Sequence, residues 1–368
     1  MGAIGQSTVN ITRRELVQGL AGALVALPGA GLLQGCGQRS TAPPAGSAEL
    51  GPIEPKLNIY NWSDYIAPNV VPDFEKEFGV RVTYDTFESG EEMVAKLQAG
   101  ATGYDLIVCT NYLLPVLTDS NLLAPLSRRY LPNLGNIGPL FRKLAFDPED
   151  AYTVPWAWGM SGVAWRTDLV NAAPEGWGVF LDSRYRGKMT MLDDQRDVIG
   201  AFLRYRGHSL NSIDPAELET ARQDAVAAKA NLKAYISAPV KSQLISGDVW
   251  IAQLWDGDAA QASKEQPAIE WMLPKEGAAM YVDSLIVPRP APHPRAAHEF
   301  INFILRPEVA ASIATAIGYG TPNQAAMPLI PDPVPYPSEN ELARIELQKD
   351  LGRASGLWDE LWTRIKSA

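Results

Sequence analysis

Three short clusters in this 368-residue chain set an aromatic ring beside a carboxylate: Trp62 with Asp64 and Tyr65, Trp255 with Asp256 and Asp258, and Tyr281 with Asp283. The face of an aromatic ring attracts an alkylammonium group, worth about 0.5–2 kcal/mol depending on how dry the site is. A carboxylate adds a charge-assisted hydrogen bond to the same group. The methylenes of an aliphatic amine favour flat apolar walls. A slot with aromatic sides and acidic ends therefore suits a linear di- or triamine. A sugar is the alternative, because sugars also stack on rings and hydrogen-bond to aspartate. Each cluster also has a purely structural reading. Trp62 and Trp255 are as compatible with packing as with binding. Asp64 and Asp258 are placed to cap the helices that follow them, and Tyr65, Tyr112 and Tyr319 taken singly read as packing residues. The other eight tryptophans, at 156, 158, 165, 177, 250, 271, 358 and 362, read as packing.

Other chemistries lack their residues. The chain has no Gly-x-x-x-x-Gly-Lys-Ser/Thr phosphate loop, so ATP hydrolysis by that route is excluded. The three histidines, His208, His293 and His298, form no His-Glu-x-x-His pattern, and the last two are expected on the surface of a proline-started helix. Gly159-Met160-Ser161-Gly162 falls short of a hydrolase elbow because Val163 stands where the second spaced glycine belongs, so Ser161 reads as a strand-start residue. Asp193, Asp194 and Asp197 are not followed by the alternating oxygen ligands of a calcium loop. No enzyme, metal or cofactor is expected.

Composition narrows the class further. With 46% apolar and 20% charged residues, the chain is neither disordered, collagen-like nor a many-helix membrane protein. Its 42 acidic and 32 basic side chains give a formal charge of −10, which argues against nucleic acid as a partner and suits the attraction of cations. Two cysteines, Cys36 and Cys109, rule out a disulfide framework beyond a single pairing, and a Cys-rich zinc site.

The elements that must position the clusters alternate from Leu57 onward. Strands are expected at 57–60, 80–84 and 104–108, separated by helices at 68–78 and 91–99 that stop at Gly79 and Gly100. That β-α-β-α-β order implies a mostly parallel sheet, in which ligands bind at the carboxyl ends of the strands. The loops there hold Trp62-Ser63-Asp64-Tyr65 and Thr110-Asn111-Tyr112. Further on, strands are expected at 161–165, 188–192 and 249–254, with extended segments at 269–273 and 281–288. Helices are expected at 195–205, 215–233, 239–245, 258–264, 294–305, 307–317, 339–349 and 357–365.

The first 35 residues read as an address. Paired Arg13-Arg14, with Thr12 and Leu16 around them, precedes an apolar run to Leu33 broken by Gly19, Gly22, Pro28, Gly29 and Gly31. That is the layout of a removable export signal and resembles the twin-arginine type; an uncleaved anchor is the alternative. Leu33-Gln34-Gly35-Cys36 resembles a bacterial lipobox, in which Cys36 carries lipid. Residues 36–56, rich in Pro, Gly and Ser, read as a flexible tether. Loss of 1–35 removes two arginines and one glutamate, taking the formal charge from −10 to −11.

From Leu57 to the C-terminus the chain resembles the bacterial spermidine/putrescine-binding proteins, the extracytoplasmic receptors of polyamine ABC transporters. The blocks that carry the likeness are Leu57-Asn58-Ile59-Tyr60-Asn61-Trp62-Ser63-Asp64-Tyr65, Phe87–Met93, Asp193–Asp197, Asp283–Pro288, Ile301–Pro307 and Ile317–Asn323. The resemblance implies an α/β, two-lobed periplasmic-binding-protein type II fold with mixed sheets flanked by helices and ligand in the interlobe cleft. One lobe would hold 57–163 and 284–328, the other 164–283 and 329–368. It also implies ligand contacts from Trp62, Ser63, Asp64, Tyr65, Thr110, Tyr112, Asp194, Asp197, Trp255, Asp258, Tyr281, Asp283, Tyr319 and Gln348. Asp197 replaces a glutamate of spermidine-type members, and Asp258 matches an aspartate of putrescine-type members. The acids thus mix two patterns. Their number favours spermidine, while the short Asp197 and the added Asp258 favour putrescine. The implied function is polyamine capture and delivery to a permease by a monomeric receptor. A polyamine sensor acting on a signalling partner without transport, a receptor for another small ligand on the same fold and a secreted enzyme are the alternatives.

Overall fold

A computed structural model describes residues 49–368 apart from Thr102 and Ala238. The export leader, Cys36 and the tether up to residue 48 lie outside the described residues. Of the expected tether, the last eight residues are held. The Glu54 carboxylate accepts from the backbone N–H of Ala296 at 2.8 Å and of Arg295 at 3.4 Å, capping the Pro294–Ile304 helix where its own N–H groups have no partner.

Among the described residues, ten strands form the sheets: β1 (Lys56–Trp62), β2 (Arg81–Phe87), β3 (Leu106–Thr110), β4 (Thr153–Arg166), β5 (Met189–Met191), β6 (Leu232–Tyr235), β7 (Ile251–Trp255), β8 (Ile269–Met272), β9 (Ala279–Ile286) and β10 (Glu346–Leu347). The order is β2-β1-β3-β9-β4-β7-β5-β6, with β10 beside β9 and β8 beside β4. β1 lies parallel to β2 and β3, as strands joined by crossover helices must. β5 lies parallel to β6 and β7.

The long strand β4 joins the two halves. Thr153–Met160 pairs antiparallel with β9, Ser161–Trp165 pairs antiparallel with β7, and Val163–Arg166 pairs antiparallel with β8. All fourteen of its residues are buried, so it lacks the alternation of a half-exposed strand and only 161–165 is legible as one. Pro155, which has no N–H to give a ladder, sits where the β4–β9 register shifts. The first half packs Leu57, Ile59, Phe74, Leu106 and Phe300 into one core. The second gathers Phe180, Met189, Phe202 and Ile251, completed by Trp358, Leu361 and Ile365 of the C-terminal Ser355–Ser367 helix.

Several local expectations need correction. The helix over 215–233 ends at Lys229, and Leu232–Tyr235 turns into the edge strand β6. The helix over 339–349 is a single turn, Glu339–Leu342, after which Glu346–Leu347 joins β9; pairing to a waiting strand edge overrides local propensity there. His298 is not on the surface but 2% exposed, its Nε2 accepting from Ser127 N–H at 2.9 Å. His293 is likewise engaged, with Nδ1 2.9 Å from the buried Asp105. Asp64 and Asp258 are not helix caps. The helices begin at Val70, after Asn69, and at Asp256, after Trp255. Ser161 lies within β4, not at its start.

Candidate functional site

The carboxyl ends of β1 and β3 in one half, and of β5 and β7 in the other, face a common cavity of about 240 Å³. All fourteen residues that the resemblance implies as ligand contacts line it. Trp62 ends β1, Thr110 ends β3, and Trp255 ends β7. Asp64 turns the chain with φ +53°, a conformation that aspartate tolerates better than most residues, and so brings Tyr65 back into the protein. Tyr281 and Asp283, two apart on β9, share one face of the strand. Gly318 closes the preceding helix with φ +78° and delivers Tyr319. Tyr319 needs a second glycine: a Cβ at Gly257 would stand 2.4 Å from its ring.

The central carboxylate is Asp283, 5% exposed. Thr110 Oγ1 donates to its Oδ1 at 2.6 Å and the Tyr65 hydroxyl to its Oδ2 at 2.8 Å. Burial still pushes its pKa up to about 6, with those two hydrogen bonds pulling the other way. Asn111, not among the expected contacts, ties this region together: its Oδ1 accepts from Val282 N–H at 2.9 Å and its Nδ2 donates to the Gln348 carbonyl.

Asp194 and Asp197 form a second acidic group at the start of the Gln195–Tyr205 helix. Asp194 caps that helix, its Oδ1 accepting from Arg196 N–H at 2.7 Å and Asp197 N–H at 3.1 Å. Burial, then the nearby Asp197 and Glu91, raise its pKa to about 7. Asp197 accepts from the Ser161 hydroxyl and from Trp255 Nε1 at 3.2 Å, which gives Ser161 a partner role that its sequence setting did not suggest. Tyr112 donates to Glu91 at 2.9 Å and lies under the buried Arg196 guanidinium, 5.3 Å from the ring centre. At a third position, Asp258 lies near Asp64 and the Tyr319 hydroxyl. Tyr319 stands edge-on to Tyr65, ring centres 5.3 Å apart.

Asp256, grouped with Trp255 in the sequence, is not part of the lining; it is buried behind it, and burial raises its pKa to about 7. Four lining residues escaped the sequence reading: Glu88, Ser237, Lys241 and Gln261. Glu88 accepts from Ser63 Oγ at 2.5 Å and lies inside the Phe87–Met93 block. Gln261 sits one helical turn after Asp258, a spacing that marks the same face. Nothing in the pattern singles out Ser237 or Lys241.

The arrangement offers aromatic walls with carboxylates at three places, a lining whose chemistry suits a cation. The profile of the bacterial extracellular solute-binding protein family matches residues 69–339. The chain belongs to that family. Its relatives include the spermidine/putrescine-binding periplasmic protein of Escherichia coli strain K12, 33% identical over 318 residues that cover 84% of this chain and 91% of that one. The putrescine/cadaverine-binding protein of Pseudomonas aeruginosa is 32% identical, with 88% and 96% covered. Among solved structures, the spermidine/putrescine ABC transporter substrate-binding protein PotD of Streptococcus pneumoniae superimposes with a TM-score of 0.76 at 32% identity, covering 85% of this chain and 99% of that one. The TpPotD lipoprotein of Treponema pallidum gives 0.79 at 30%, with 84% and 99% covered. The resemblance read from the sequence blocks therefore holds, and the fold is the two-lobed type II fold. As a member of this family the chain is an extracytoplasmic solute-binding receptor, not an enzyme.

The raised carboxylates predict a pH dependence for the binding of a cation. A cationic ligand lowers the pKa of the acids it pairs with, so binding releases protons wherever the empty site holds them. With Asp283 at about 6 and Asp194 at about 7, affinity for a cation should approach its full value only at about pH 8 and fall progressively as the pH drops through 7 and then 6. Calorimetry at pH 6.5 in buffers of different ionisation enthalpy should register proton release on binding. Uptake, or an affinity flat from pH 8 to 5.5, would contradict the assignment of these acids.

Proposed function

We propose that this receptor captures a linear polyamine, spermidine or putrescine, outside the cytoplasmic membrane and delivers it to the permease of an ABC transporter. The observation that carries the reading is a single cavity in which Trp62, Trp255, Tyr281 and Tyr319 stand beside Asp64, Asp194, Asp258 and Asp283. Ammonium groups pair with the acids while the methylenes lie on the rings. The lobes, 57–163 with 284–328 and 164–283 with 329–368, contribute to opposite sides of the cleft. Ligand that touches both favours the closed state by population shift. The closed monomer is the form presented to the permease. The names of the relatives support this reading.

The test is calorimetric titration of the purified receptor, stripped of carried-over ligand, with putrescine, spermidine, spermine and a disaccharide. Saturable binding of a polyamine, and none of the sugar, is the expected result. No polyamine binding by a folded, ligand-free sample would overturn it.

Export by the twin-arginine-like leader and lipidation at Cys36 would keep the receptor beside its permease, the tether giving it reach. Cys36→Ser should therefore move the protein from the membrane fraction to the soluble fraction while leaving polyamine affinity unchanged. Continued membrane retention of the variant would count against the lipobox.

A further inference from the structure

The C-terminus of the Pro307–Ile317 helix lies where the two halves meet. A helix ends in carbonyls that have no partner within it and carry a partial negative charge, and a cation nearby answers both. This helix has no basic residue in its own last turn. Gly318 N–H, turned back with φ +78°, serves the Ala314 carbonyl. The carbonyls of Thr315 and Ile317 are served from the other half. Lys264 Nζ donates to Thr315 O at 3.2 Å, and Gln261 Nε2 donates to Ile317 O.

Both donors stand on the Asp256–Glu265 helix, three residues apart and therefore on one face. That helix buries Ala259 and Ala262 with Leu254 of β7 and Ile269 of β8. The Pro307–Ile317 helix buries Ile313 and Ile317 with Leu57 and Phe74. The two bonds thus join separate cores. The same seam runs inward to β4: a Cβ at Gly318 would stand 3.0 Å from the Gly257 carbonyl, and Trp158 exchanges backbone hydrogen bonds with Gly320 at 3.0 Å. Lys264 lies two turns beyond Gly257 and holds the outer end of the seam. Gln261 also lines the cavity, so the seam is on the cleft side of β4.

We propose that Gln261 and Lys264 form a latch that fastens the second half to the helix end of the first, and that Lys264 sets the receptor's affinity through closure, without touching ligand. Both bonds run from protein to protein. They favour the apposed halves by the same amount whatever fills the cleft, so they multiply every affinity by one factor and leave selectivity alone. The inference rests on the reading of the site as one that captures polyamine by closure. Lys264 isolates the effect because it is exposed and outside the cavity lining. Long-range electrostatics has the opposite sign there. Removing a positive charge from an acidic receptor strengthens its pull on a cation and quickens association, whereas losing a latch quickens dissociation.

The experiment is calorimetric titration and stopped-flow tryptophan fluorescence of ligand-stripped receptor with putrescine and with spermidine. Wild type is compared with Lys264→Met, Lys264→Glu and Lys264→Arg. Met should weaken both amines by one common factor of about two to five, the size of a cation's effect at a helix C-terminus, and a faster koff should carry it. Glu, which sets a carboxylate against the same carbonyls, should weaken both at least as much. Arg, which keeps the charge and the donors, should bind like wild type. Because the position is exposed, the ligand-free variants should melt with wild type. Affinity that is unchanged or tighter in Met and Glu, or that falls for one amine alone, overturns the inference and leaves the polyamine function standing. A wild type that binds neither amine overturns the function and the inference with it.

Discussion

Asp283→Asn should lose polyamine binding by about 2–5 kcal/mol, at least thirtyfold or so in Kd, because a buried ammonium loses its charged partner. The variant is nearly isosteric and keeps the fold. Thr110 and Tyr65, which donate to Asp283 at 2.6 and 2.8 Å, meet an amide in place of a carboxylate, and a hydroxyl can rotate to accept from the amide nitrogen. Stability should move opposite to affinity. Burial raises the folded-state pKa of Asp283 to about 6, above its unfolded value, so its charge opposes folding at neutral pH. That penalty is full above about pH 6 and fades as the pH falls toward the unfolded pKa. The empty Asn variant should therefore melt no lower than wild type at pH 7.5, with the gap closing near pH 4. Calorimetric titration with a thermal melt on the same sample checks both halves. Near-normal affinity in a well-folded variant would remove Asp283 from the centre of the site.

Trp255→Ala should weaken binding by about 2–4 kcal/mol, in the range of a central aromatic anchor. The ring is a wall of the cavity and its Nε1 donates to Asp197 Oδ2 at 3.2 Å. Alanine removes the stacking surface and leaves Asp197 with the Ser161 hydroxyl as its side-chain donor. Trp255→Phe separates the two effects: it keeps a ring and loses only the N–H. If stacking dominates, Phe should recover most of the lost affinity; if Nε1 dominates by orienting Asp197, Phe should resemble Ala. Wild-type affinity in the alanine variant would mean that the ring serves packing alone.

Much of the cavity lining was legible because its residues stand at strand ends, where a polar-aromatic loop after an apolar run is conspicuous. Trp62, Thr110 and Trp255 each close a strand in this way. Lys241 was not legible as a lining residue because its contacts with Asp258 and Gln261 depend on two helices packing side by side, which leaves no trace in local spacing. Ser161 was misplaced for a related reason: β4 is buried throughout and shows no alternation from which its start is read. The second half of the expected 339–349 helix failed where Glu346–Leu347 found a partner in β9, a long-range pairing that helical periodicity cannot register.

The changeover in β4 has a mechanical side. Met160 is the last residue paired with β9, opposite Met280, and Ser161 the first paired with β7, opposite Trp255. A rotation of one half-sheet against the other about this short stretch displaces each group in proportion to its lever arm. Trp255 and Tyr281, directly across from Ser161 and Gly159, lie next to the axis and keep their spacing. Groups farther out in the sheet order, such as the Trp62 loop at the end of β1, sweep the longer arcs. A closure that turns about this stretch, with the chain's other crossings following, would let ligand meet the near-axis wall first and its remote contacts last.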